Sequence, residues 1–118
     1  MITGTVTEDG VPVIILLVAG QVWQGIIDTG FNGDLELPEG LRSSVHARFI
    51  GRMTASLASG QHSEEDLYLV DFPFDGQRVE AEATFVSDQE ILIGTHLLRS
   101  YRLAIHFPAR TVLLAPAP

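Results

Sequence analysis

The sequence predicts an all-β domain, a barrel or sandwich of short strands with one short helix near the end. Three observations predict it. β-Branched and aromatic residues recur in short runs that alternate apolar and polar positions. Turn residues separate these runs at roughly 8–12-residue spacing. Asp9-Gly10 and Asp75-Gly76 each stand between two such runs, where a tight hairpin wants positive φ at both central positions.

Residues 2–7 form the first run, and Glu8-Asp9-Gly10 turns it. Val11 to Val18 returns, with Pro12 near its start, where a missing N–H matters least. Ala19-Gly20-Gln21 makes the next turn. Val22 to Ile27 is a third strand that ends on Asp28. A period of two puts Val22, Gln24, Ile26 and Asp28 on one face and Trp23, Gly25 and Ile27 on the other. Trp23 reads as a core or edge-packing aromatic.

Asp34 to Pro38 alternates and reads as a short strand with one wet face. Pro38 to Val45 has room for a helical turn or two, with Pro38 near the first helical position. Residues 47–58 are strand-like, with Phe49, Met53, Ala55 and Leu57 on one face. Arg48, Arg52, Thr54 and Ser56 take the other. Ser59-Gly60-Gln61 turns the chain, and Ser63-Glu64-Glu65-Asp66 reads as a solvated hairpin arm. Leu67 to Phe74 and Gln77 to Val86 form the next pair, with Val79, Ala81, Ala83 and Phe85 on one apolar face. Ile91-Leu92-Ile93 is fully apolar and stops at Gly94. Thr95 is placed to cap a short helix from Thr95 to Ser100, with Leu97 and Leu98 docking inward. Tyr101 to Phe107 and Thr111 to Ala115 close the chain. No linker or low-complexity tract interrupts it, so residues 1–118 read as one domain.

Composition excludes several functions. A chain of 118 residues, 46% apolar, can bury about two-thirds of its unfolded surface. A net charge of -8 argues against nucleic acid, which needs clustered cations. All seven basic residues are arginines. Cysteine is absent, so no thiolate and no disulfide is available. The longest apolar run, Val13 to Ala19, is too short to span a bilayer. No signal-peptide pattern opens the sequence. A cytoplasmic protein without membrane partners is expected. His62 and the acids after it are a poor metal site, because consecutive strand residues point to opposite faces. No metal and no cofactor is expected. His46, His62, His96 and His106 lack the Gly-x-Ser-x-Gly elbow of a serine hydrolase.

Ile26-Ile27-Asp28-Thr29-Gly30-Phe31-Asn32-Gly33 is the stretch that carries chemistry. Burying a carboxylate behind two isoleucines costs several kcal/mol unless it is hydrogen-bonded, paired or protonated. A structural reading makes Asp28 an Asx turn, with Gly30 at positive φ. A functional reading makes it a fixed catalytic acid, supported from below by the apolar strand ending at Leu92-Ile93-Gly94.

Asp28-Thr29-Gly30 together with Leu92-Ile93-Gly94 resembles the retropepsin-like (retroviral-type) aspartic proteases. The longer stretch through Leu35-Glu36-Leu37-Pro38 is similar to their small single-domain prokaryotic members, with Asp-Thr-Gly-Phe. The resemblance implies a closed β-barrel of the acid-protease fold and hydrolysis of peptide bonds in peptide or protein substrates. That chemistry needs two carboxylates sharing one proton. The chain holds one Asp-Thr-Gly, so a homodimer is implied, with Asp28 opposite Asp28. Thr29 would hydrogen-bond across the dimer, and Gly30 would let the carboxylates approach. Phe31, Asn32 and Gly33 would line the near wall. Ala58, Ser59, Gly60 and Gln61 would form a flap tip over substrate. Leu92, Ile93 and Gly94 would support the loop. The N-terminal strand and Thr111 to Ala115 would join the dimer sheet. The viral acid two residues after the triplet is Asn32 here, and the viral arginine after the later glycine is Thr95. Neutral groups thus replace both members of an ion pair. The alternative on the same dimeric scaffold is a peptide-binding or regulatory domain with little or no proteolysis.

Overall fold

A computed structural model describes residues 1–56 and 59–118. Its elements are β1 (Ile2–Val6), β2 (Pro12–Val18), β3 (Gln21–Ile27), β4 (Leu35–Pro38), a 3-10 turn (Glu39–Leu41), β5 (Ala47–Ser56), β6 (His62–Phe74), β7 (Gln77–Val86), β8 (Ile91–Ile93), β9 (Tyr101–His106) and β10 (Thr111–Pro116). The class is all-β, as the alternating runs predict.

The strands form one ten-stranded sheet in the order β5-β6-β7-β4-β8-β3-β2-β1-β10-β9. It does not close into the expected barrel, because the end strands β5 and β9 do not pair with each other. Arg48, Phe49, Ile50, Arg52, Met53 and Thr54 of β5 are exposed, as befits the end strand of an open sheet. The sheet instead folds over a core that includes Ile14, Leu16, Ile27, Leu35, Phe72, Ile91, Ile93 and Leu114. Burial of each large aliphatic or aromatic side chain contributes about 1.5–3 kcal/mol.

β1 lies between β2 and β10, and β10 lies between β1 and β9. Neither strand is an edge, so neither is free to join a dimer sheet in the way the resemblance implied. At the β6–β7 turn Asp75 and Gly76 take φ of 53° and 75°, the paired positive values expected of Asp-Gly.

Three local expectations change. Thr95 to Ser100 is a run of turns and not a helix. Only i to i−3 bonds form within it, from the Arg99 N–H to His96 O and, at its exit, from the Tyr101 N–H to Leu98 O. Six residues are too few to nucleate a helix unaided. Leu98 is nevertheless buried and Leu97 packs beside it. In β5 a bulge between Phe49 and Gly51 shifts the register. Phe49 then pairs with Tyr68 and Met53 with Glu65, an odd offset that puts Phe49 and Met53 on opposite faces. The strand read from Leu67 starts at His62. Trp23 packs against the core as expected.

Candidate active site

The candidate site sits where β3 leaves the sheet and β4 enters it. These strands do not pair with each other. β8 lies between them, parallel to β3 with Ile26 opposite Leu92, and antiparallel to β4 with Glu36 opposite Leu92. A three-residue strand thus underpins the whole 28–34 loop.

Asp28 is half-buried at the loop's start. Its N–H donates to Ile93 O at 3.0 Å, and its carbonyl accepts the Phe31 N–H at 3.1 Å. Its Oδ1 accepts the Gly30 N–H at 2.9 Å. The Asx turn is therefore present and leaves Asp28 Oδ2 for other chemistry. Gly30 is not among the residues with positive φ, contrary to the structural reading. Its bare Cα matters for space, since an added Cβ would lie 3.3 Å from Asp28 Oδ1. Thr29, Gly30 and Asn32 are exposed, whereas Phe31 and Gly33 are half-buried.

Leu92, Ile93 and Gly94 run from β8 to the loop, with Ile93 O accepting the Asp28 N–H. The Gly94 N–H donates to Asp34 O at 3.0 Å. Ser59, Gly60 and Gln61 form an exposed turn between β5 and β6, with Gly60 at φ 84°. Ala58 lies outside the described residues. Among the described residues no hydrogen bond joins that turn to the Asp28 loop.

Sequence reasoning missed Asp34. It was assigned to a strand with a wet face, yet it is 6% exposed. Its Oδ2 accepts the Glu82 N–H at 2.9 Å, and its Oδ1 lies 2.6 Å from His96 Nδ1. A hydrogen-bonded Asp34–His96 pair thus links the Asp28 loop to the 95–100 turn. The signal was weak, an acid after Gly33 and a histidine after Gly94-Thr95.

Glu36 shares the face of Asp28, since Ile26, Leu92 and Glu36 are in register. Burial first, then the Glu65, Asp88 and Asp28 carboxylates, holds its carboxyl above the ordinary value of 4.5. Glu36 makes no hydrogen bond to Asp28, so the two are not a shared-proton pair within one chain. Among the described residues no cluster of three His, Cys, Asp or Glu side chains could hold a metal ion. No helix of the described residues is long and apolar enough to cross a membrane.

This architecture is similar to that of a retropepsin-like aspartic protease from Rickettsia conorii. The TM-score is 0.67 at 16% identity, covering 96% of this chain and 88% of that one. It is also similar to an EIAV protease complexed with the inhibitor HBY-793, with TM-score 0.62, 15% identity, and 79% and 89% of the two chains covered. A simian foamy virus (mac) protease matches with TM-score 0.59 and 22% identity, over 74% of this chain and 91% of that one. The chain therefore has a retropepsin-like fold. No protein-family model and no curated protein sequence matches it.

Proposed function

We propose that residues 1–118 are one domain of a homodimeric aspartic endopeptidase, with the cytoplasm as its setting. Two Asp28 carboxylates, one per subunit, would share a proton across a two-fold axis. The ionised member takes a proton from water, and the protonated one donates to the scissile carbonyl oxygen. The single observation that supports this is the fixing of Asp28. Its amide is tied to Ile93 and one carboxylate oxygen to Gly30, at a strand end in a retropepsin-like fold.

The remaining roles belong to the same proposal. Thr29 bonds across the dimer, and Gly30 keeps the carboxylate approach open. Phe31, Asn32 and Gly33 line the wall that meets an extended peptide. The tip carrying Ser59, Gly60 and Gln61 closes over it and excludes water. Because β1 and β10 are interior strands, the partner subunit docks by other surfaces than interleaved termini.

The test is cleavage of an unfolded protein from about pH 3 to about pH 7, comparing wild type with Asp28→Asn and measuring oligomeric state on the same samples. Cleavage by the wild-type dimer alone makes Asp28 the catalytic acid. A dimer that never cuts points to the peptide-binding alternative.

A further inference from the structure

We infer that Asp34 and His96 are a positioning pair that clamps the Asp28 loop onto the turn beneath it. Its catalytic consequence rests on the proposed proteolysis; the clamp itself does not.

Asp34 is saturated with donors from separate elements. Its Oδ1 meets His96 Nδ1 at 2.6 Å, in the 95–100 turn. Its Oδ2 accepts the Glu82 N–H of β7 at 2.9 Å. Its carbonyl accepts the N–H of Gly94, just after β8, at 3.0 Å. A carboxylate only accepts, so His96 Nδ1 carries the proton. Arg99 Nη1 donates to the His96 carbonyl at 2.7 Å and lies 3.4 Å from His96 Nδ1, so it flanks the nitrogen that meets Asp34.

The turn needs such a tie because it has no helical ladder to stiffen it. It meets the loop by two backbone bonds, from the Thr95 N–H to Phe31 O at 2.9 Å and from the His96 N–H to Gly33 O at 3.2 Å. Phe31 in turn donates its N–H to Asp28 O. A shift of His96 therefore reaches Asp28 through Gly33 and Phe31. Misplacing a reacting group by about 1 Å can cost about 10²-fold in rate. Neither Asp34 nor His96 bonds to the Asp28 carboxylate, so their part is to hold the loop.

The experiment compares the full chain with His96→Ala and His96→Asn. The asparagine amide nitrogen stands close to where Nδ1 does and restores the donor without the ring. The His96 side chain is 53% exposed, so truncation leaves the core packed. We expect His96→Ala to lower kcat on an unfolded protein by about tenfold to a hundredfold, with KM changed less than about twofold. Amide exchange at Phe31, Glu82 and Thr95 accelerates, while exchange at Val70 in the core does not. His96→Asn recovers both. A folded His96→Ala protein with wild-type kcat and exchange overturns the inference, as do losses that His96→Asn leaves unrepaired. If wild type cuts nothing, the proteolytic proposal fails, and faster exchange at Phe31 and Thr95 still decides for the clamp, unchanged exchange against it.

Discussion

A methyl group on Gly94 would stand 2.0 Å from the carbonyl oxygen of Gly33. The end of β8 and the end of the Asp28 loop thus meet backbone to backbone. Gly94 has no positive φ, so the position excludes a side chain for want of space and not for conformation. Gly94→Ala must push the loop off its support or strain β8, at a cost of about 1–3 kcal/mol. The expected result is a lower urea midpoint at unchanged slope, with cleavage lost beyond what the unfolded fraction explains. A wild-type midpoint would contradict the contact.

Asp28→Asn separates catalysis from folding. An asparagine Oδ1 can still accept the Gly30 N–H that Asp28 holds at 2.9 Å, and the amide can still bond Ile93 O. Stability should change by no more than about 0.5 kcal/mol, while cleavage falls to background. Thermal melts and cleavage on one preparation check both parts. A large loss of stability would show that the charge, and not only the turn, holds the loop.

Glu36 gives a pH dependence of defined sign. Its carboxyl is raised above 4.5, chiefly by burial and then by Glu65, Asp88 and Asp28. A raised acid binds its proton more tightly folded than unfolded. Its contribution is therefore fully present below the ordinary value and is lost as pH rises through the raised one. At neutral pH the charged group burdens the fold. Glu36→Gln should raise the urea midpoint at about pH 7, with the gap shrinking toward pH 4.5. A gap that widens on acidification would reverse the assignment.

How much was legible in the sequence depended on whether each feature is local. β7 and β8 match their sequence ranges because apolar alternation or an apolar run bounded by turns marks a strand by itself. Asp28 stood out because an acid after Ile26-Ile27 is costly without a purpose. Asp34 did not, because its partners, the Glu82 amide and His96, lie 48 and 62 residues away, and an acid after glycine looks like turn chemistry. The Thr95 cap signal misled because six residues are too few to nucleate a helix unaided, and Thr95 Oγ1 is directed at Phe31 O at 3.4 Å and not at an N–H of its own turn. Barrel closure was not legible either. It depends on whether the outermost strands meet, and no local pattern in β5 or β9 encodes that.

The shared dyad makes a quantitative prediction about mixing. If each site needs Asp28 from both subunits, a mixed dimer of wild type and Asp28→Asn is inactive. After equilibration at fixed total protein, activity should fall as the square of the wild-type fraction. A linear fall would mean that each chain cuts alone. Dilution supplies the matching control, since specific activity must drop where the dimer dissociates. The measurement is a cleavage assay across mixing ratios, with sedimentation confirming exchange of subunits. A square-law fall that vanishes when subunits are mixed too briefly to exchange would tie the chemistry to two copies of Asp28.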